Sequence, residues 1–409
     1  MPPHLLDITR HPSSLEHNGP AAPDLKMTLP AGVYRADHVG SLLRPKELLE
    51  ARQKVANGLM KPEQLKEIED KHIADVVKKQ IEVGLQSVTD GEYRREWFHV
   101  DFLQNLAGVE ERGALTSTNA SIGGTMPPRL VVVDKISHPK PIQVDDFKFL
   151  ESQMAAAAGS SAERKVSAKV CIPSPTMLHF RNSRETIDAA AYPVLDPFFD
   201  DVARVYQEEL ADLYRAGARF VQLDDTNLAY LCDPQMRAEA EKRHGDAEAL
   251  TRQYAALINA AVSKRPADLK VGIHLCRGNH RSQWFAQGGY EPVAETLFRD
   301  LDVDVYFLEY DDARSGDFSP LRHLPANKVV VLGVMSSKRA APEDRAEVVR
   351  RLREAAAFCP RGLEQLCLSH QCGFSSTSEG NDLSQAEQWE KLKLEIDIAH
   401  EVWGKDLSV

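Results

Sequence analysis

A chain of 409 residues with 43% apolar and 27% charged residues has the composition of a soluble globular protein. Its formal net charge of −11 argues against a general nucleic-acid binder, which needs basic surface to meet phosphates. Length alone leaves open two or three domains of ~150 residues or one barrel with insertions.

The chain begins "MPPHLLDITRHPSSLEHNGP", with no basic start followed by an apolar core of about 7–15 residues, so no secretory leader is expected. Residues 1–30 are rich in Pro, His and Ser, show no period and predict a mobile tail. After them, short β-branched runs alternate with longer amphipathic stretches. The runs are 32–39, 85–90, 165–172, 219–225, 270–276, 305–311, 328–334 and 364–370. The stretch 62–83 opens on Pro62, spaces Leu65, Ile68, Ile73, Val76, Val77 and Ile81 at helical intervals, and stops at Gly84. Residues 196–216, stopped by Gly217, behave likewise, and 248–262, 291–300, 342–357 and 384–403 complete the set.

Strands alternating with helices predict a parallel sheet. Eight such units fit an α/β fold of the (β/α)8 TIM-barrel type, one domain over 31–409. No Gly-x-Gly-x-x-Gly turn follows the first run, which weakens a dinucleotide-binding alternative. Residues 105–160 break the rhythm and predict an inserted segment, with "RLVVVDKI" as one strand of a hairpin. No apolar run reaches the ~18 residues of a membrane span, and "DLSV" is no peroxisomal ending. A cytoplasmic location is expected. In that reducing compartment spaced cysteines mean metal or catalysis more often than disulfides.

In such barrels the chemistry sits where the strands end, because the following loops converge on one mouth. The runs end on Asp37, His38 and Ser41; Asp90, Glu92, Arg94 and Arg95; Thr176, His179 and Phe180; Asp224, Asp225 and Asn227; His274, Cys276, Arg277 and His280; Glu309, Asp311, Asp312 and Arg314; Ser336, Ser337 and Lys338; and His370 and Cys372. His274 and Cys276, two positions apart, face one way if the strand continues through them. With Glu309 and Cys372 from other strand ends they make a set suited to Zn²⁺, which takes imidazole, thiolate and carboxylate ligands in a tetrahedron. Sulfur ligands favour zinc over Mg²⁺ or Ca²⁺. They also favour alkylation of a metal-bound substrate thiol over hydrolysis, since the ion stabilises the thiolate.

Other readings of the same residues stand beside these. Cys276 and Cys372 also suit small buried positions, as do Cys171, Cys232, Cys359 and Cys367. Glu309 also suits an ion pair with an arginine such as Arg314, and Glu92 a carboxylate at a helix N-terminus. Asp224 and Asp225 suit caps or strand-end salt bridges. His179, His280 and His323 suit surface positions or hydrogen-bonded core.

The motifs "RADHVGSLLRP", "TDGEYRREW", "VQLDD", "HLCRGNHRS", "FLEYDDARSGD" and "LSHQCGF" resemble the catalytic barrel of cobalamin-independent methionine synthase, over about residues 34–403. The resemblance implies a TIM-type barrel with one catalytic zinc, held by His274, Cys276, Glu309 and Cys372. It implies that a homocysteine thiolate on the zinc attacks a methyl group. The amino-acid end would be held at Gly40, Ser41, Glu92 and Asp224, with Asp225 grouped beside them. Glu92 and Asp224 can pair with an ammonium, and Ser41 can hold a carboxylate. The chain departs from the family in lacking the second barrel that helps hold the folate tail. Phe180 stands for the folate-stacking tryptophan, and Ser336 or Ser337 for the proton-donating histidine. His370 stands where proline is usual and is a candidate for the missing acid, which makes His370, Glu92 and Asp224 the candidate catalytic residues.

The expected partners are a homocysteine-like thiol and a methyl donor, folate-type or other, with neither nucleic acid nor membrane. The expected function is S-methyl transfer from that donor to homocysteine, giving methionine. A zinc-dependent thiol alkyltransferase acting on an electrophile such as an epoxide is one alternative, and a non-catalytic zinc-binding barrel is another. The oligomeric state, the proton donor and the role of 105–160 are left open.

Overall fold

In the computed structural model, residues 27–114, 128–158, 166–180 and 184–408 are described. Most of the expected tail, residues 1–26, lies outside them, as do 115–127 and 159–165 of the insertion and the start of the third run.

Helices α1 (Lys46–Ala56) and α2 (Pro62–Val83) precede a short strand β1 (Ser87–Val88). The periodic residues Ile73, Val76, Val77 and Ile81 are buried, and Gly84 ends α2 at φ +106°, a conformation costly for any residue with a Cβ. A short helix α3 (Val100–Leu103) leads into the insertion. There β2 (Ala107–Ala114) and β3 (Pro128–Ser137) pair antiparallel, as the hairpin reading predicts, and α4 (Val144–Ala158) returns the chain to the body. Next come β4 (Ser167–Ala168), β5 (Val170–Pro173), α5 (Asp196–Ala216), β6 (Phe220–Asp225), α6 (Asn227–Tyr230), α7 (Pro234–His244) and α8 (Ala247–Val262). The remainder is β7 (Lys270–Leu275), α9 (Glu291–Glu295), β8 (Val305–Glu309), β9 (Val329–Met335), α10 (Arg345–Ala356), β10 (Leu366–His370) and α11 (Gln385–Trp403).

The sheet runs β10-β9-β8-β7-β6-β5 with every pair parallel. Beyond one edge β4 pairs in parallel with β1. At the other edge Ala36 bridges Leu368 in parallel, through Asp37 N–H to the Leu368 carbonyl (3.0 Å) and Leu368 N–H to the Arg35 carbonyl (2.8 Å). The expected first strand, 32–39, is thus reduced to one bridge. The seam between it and β1 is crossed by His38 Nε2 to the Ser87 carbonyl (3.0 Å) and by the Thr89 hydroxyl to the Gly40 carbonyl (2.7 Å). These are the strand positions of a TIM barrel.

Alternation along the strands sorts the side chains into two cores. Val271, Ile273 and Leu275 of β7 join the larger core that includes Phe298, Leu352 and Leu392. Phe220, Val305, Phe307, Val329, Val331 and Cys367 form a second, inner core. Leu29 and Val33 are buried in that inner core, so Leu29, inside the expected tail, packs on the body of the fold. The inner set also fixes the site: Gly272, His274 and Cys276 share one side of the β7 line, in step with Phe307 and Glu309 on β8. No helix among the described residues is long and apolar enough to cross a membrane.

Candidate metal and thiol site

His274, Cys276, Glu309 and Cys372 are all buried, and one ligand atom of each lies within 4.8 Å of every other. The Cys276 and Cys372 sulfurs are 3.3 Å apart. The His274 Nδ1 lies 3.3 Å from the Phe307 carbonyl, and a bond there fixes the tautomer that leaves the Nε2 lone pair free. That Nε2 is buried and, apart from the Cys372 thiol, has no partner among the described residues. Glu309 accepts the Arg277 N–H at 3.1 Å through one oxygen and meets Arg314 at 3.4 Å through the other. The ion-pair and ligand readings of Glu309 therefore both have a contact behind them.

The donor set fits zinc: two sulfurs, one imidazole nitrogen with no partner outside the set among the described residues and one carboxylate, converging in a buried cluster. Tetrahedral bonds of ~2.3 Å would set the sulfurs ~3.8 Å apart, a small spreading of the observed pair. The Cys276 hydrogen bond, with His274 behind it, holds the Cys372 thiol well below the ordinary range and pushes Cys276 up. Lys338 adds positive charge near both, and its Nζ is buried without a hydrogen-bond partner among the described residues.

A cavity of about 100 Å³ is walled by three of these ligands, His274, Cys276 and Cys372, together with Ser41, Glu92 and Asp224. Trp97, Phe98, Tyr230 and Phe285 supply aromatic wall. Glu92 has φ +57°, strained for a residue with a Cβ. Its N–H is held by Asp90 Oδ1 (2.7 Å) and its carbonyl by Arg44 (2.9 Å). A Cβ at Gly40 would come 2.5 Å from the Glu92 carboxylate and 2.7 Å from the Cys171 sulfur, so only glycine fits there. Burial, then the Glu92 charge, pushes Asp224 up to about 7. Burial also raises Glu92, against the lowering effect of Arg95.

Several expected site residues lie elsewhere. Asp225 borders the cavity, but its carboxylate takes the Leu228 N–H at 2.8 Å and the Thr176 hydroxyl, so it caps α6. Phe180 is not on the cavity wall; it packs on Tyr230, His244 and Tyr254. His370 is off the wall too. It lies 2.7 Å from Glu395 on α11 and against Phe374, because Cys367 of the same strand points into the inner core and His370, three positions on, points out. Burial drives His370 well down and Glu395 well up, so it works against charge on both. Ser337 bonds Gly373, Gln371 and Asn381, and Ser336 meets Asp311 at 3.3 Å, so both tie loops together.

The sequence reading placed Arg95 at a strand end without a role and took Cys171 as a small buried residue. Arg95 borders the cavity in an ion pair with Glu92. Cys171, read as structural, has its sulfur clustered with Glu92 and Asp224. His280, read as surface or core, is on the wall, with Nε2 buried and unpartnered among the described residues.

The model of the cobalamin-independent synthase catalytic domain matches residues 35–400. An uncharacterized Bacillus subtilis protein, YxjH, is 44% identical over 371 residues, 90% of this chain and 95% of that protein. A Listeria monocytogenes structure, solved as a candidate vitamin-B12-independent methionine synthase, is 36% identical with a TM-score of 0.71, covering 92% of this chain and 99% of that one. A Shewanella B12-independent methionine synthase, solved in complex with selenomethionine, is 20% identical with a TM-score of 0.66 over 90% and 98% of the two chains, and speaks for the fold.

Proposed function

The chain belongs to the family of the cobalamin-independent synthase catalytic domain, and on that premise we propose that it is a zinc-dependent S-methyltransferase that makes methionine from homocysteine with a folate-type donor. The family and its solved relatives support a methyltransferase of the methionine-synthase type. The zinc, the thiol and the donor are our reading.

One observation carries it: a buried Cys₂-His-Glu cluster shares its cavity with two carboxylates and a serine suited to an amino acid. When bound, zinc supplies a Lewis acid beside which a substrate thiol loses its proton at neutral pH. His274 offers Nε2, with Nδ1 set by the Phe307 carbonyl, and Arg277 and Arg314 steady the Glu309 carboxylate. Glu92 and Asp224 hold the substrate ammonium and so orient the sulfur toward the cluster. Trp97, Phe98 and Phe285 keep water from the sulfur. In the reaction a bond forms between sulfur and the methyl carbon, and the bond from that carbon to its carrier breaks. The reducing cytoplasm suits such thiols.

Zinc-loaded protein given homocysteine and methyltetrahydrofolate should form methionine, read by mass spectrometry. No methionine with zinc in place would overturn the folate form of the proposal, and a thioether formed from an epoxide instead would favour the wider alkyltransferase reading.

A further inference from the structure

An amino acid that enters through its thiol brings an ammonium and a carboxylate on one carbon. Glu92 and Asp224 answer the first charge and repel the second. Arg95 is the one Lys or Arg on the cavity wall among the described residues. Its Nε is paired with Glu92 Oε2, and its Nη1 donates to the Ser376 carbonyl at 2.8 Å. Its Nη2 has no hydrogen-bond partner among the described residues, and the side chain is 15% exposed and borders both this cavity and a neighbouring one walled by Arg94 and Asp101. Ser41 Oγ accepts the Ser375 N–H at 3.3 Å, which leaves its own proton to give.

These positions make an exchange of partners. With no substrate bound, Glu92 is compensated by Arg95. An arriving ammonium takes over Glu92 and Asp224, and the guanidinium, released at Nε and already free at Nη2, meets the carboxylate beside the Ser41 hydroxyl. Guanidinium matches a carboxylate in a two-pronged geometry. Two carboxylates and one guanidinium, joined by a zwitterion, leave no cation or substrate carboxylate unpaired, and the cavity gains no net charge. We propose that Arg95 is the carboxylate anchor for an α-amino-acid thiol, and that the Glu92–Arg95 pair is the resting form of a zwitterion site. This rests on the thiol reading above and adds its specificity: the substrate must carry both charged groups.

The test uses zinc-loaded protein and three thiols, each titrated by calorimetry: homocysteine, 3-mercaptopropylamine, which lacks the carboxylate, and 4-mercaptobutanoate, which lacks the amine. Arg95→Met should weaken homocysteine and 4-mercaptobutanoate about 10- to 100-fold, the size of a lost charged hydrogen bond. It should leave 3-mercaptopropylamine unchanged or tighter, because Glu92 is freed for the amine. Arg95→Lys should fall between wild type and Arg95→Met for homocysteine. Equal weakening of all three thiols, or of none, overturns the proposal. Should Arg95→Met not fold, Arg95→Gln, which keeps a donor for Ser376, is read in the same way. Wild-type protein that binds none of the three would overturn the thiol reading itself and this inference with it.

Discussion

Glu309→Gln separates the two contacts that Glu309 makes. The amide keeps the shape and an oxygen for the Arg277 N–H, now 3.1 Å from the carboxylate. Arg314 loses a partner at 3.4 Å but keeps Asp311 at 2.9 Å and Asp312 at 3.1 Å. The metal-free fold should therefore change by ~1 kcal/mol or less. Zinc should lose far more. A four-ligand site binds with about 10–16 kcal/mol at neutral pH, so one ligand in four is worth on the order of 3 kcal/mol, or roughly 100-fold in affinity. Competition with a chromogenic chelator measures the zinc affinity, and urea unfolding of metal-free protein measures the fold. Unchanged zinc affinity would reduce Glu309 to a partner of Arg314 and refute the ligand assignment. A loss of several kcal/mol in metal-free stability would show that the carboxylate is chiefly structural.

Cys372→Ser should lower zinc content and abolish thiol alkylation together, whereas Cys359→Ser, whose sulfur lies in the hydrophobic core 3.5 Å from the Ala355 carbonyl, should do neither; metal analysis and product assay read both. His370→Gln should keep turnover within about threefold, because His370 is off the cavity wall and faces Glu395, where loss of a general acid would cost about 100-fold or more. Burial, with His244 nearby, holds His179 down at about 3, its ring bonded to the Tyr254 hydroxyl at 2.9 Å. The unfolded chain takes up that proton below the ordinary histidine value of ~6.5, so stability falls as pH drops through that point toward 3. Between pH 7 and 5 wild type should lose ~2 kcal/mol that His179→Gln does not lose, read by urea unfolding at both values.

The helices were legible where their ends carry a signal: Pro62 with Gly84, and Gly217 after α5, put both boundaries where the structure has them. Strands β6 to β10 were legible because strands buried on both faces are continuous apolar runs. The first run misled, because Asp37 and Lys169 make a buried ion pair inside the barrel and the chain pairs only at Ala36. The His274, Cys276, Glu309 and Cys372 cluster was readable because residues two apart on one strand share a side, as His274 and Cys276 do. The same alternation, counted from Cys367, turns His370 away from the mouth, and Asp225 away from its neighbour Asp224. Cys171 was not legible as a cavity residue, since it meets Glu92 only on folding, whereas Arg95, three residues after Glu92, stood among the strand-end residues without a role.

Zinc-edge X-ray absorption on the loaded protein, before and after homocysteine, reads whether these four side chains and then the substrate sulfur surround the metal. The shell should hold two sulfurs, one nitrogen and one oxygen from Cys276, Cys372, His274 and Glu309, and one further sulfur once homocysteine is added. A shell without the two cysteine sulfurs, or one that homocysteine leaves unchanged, would contradict it.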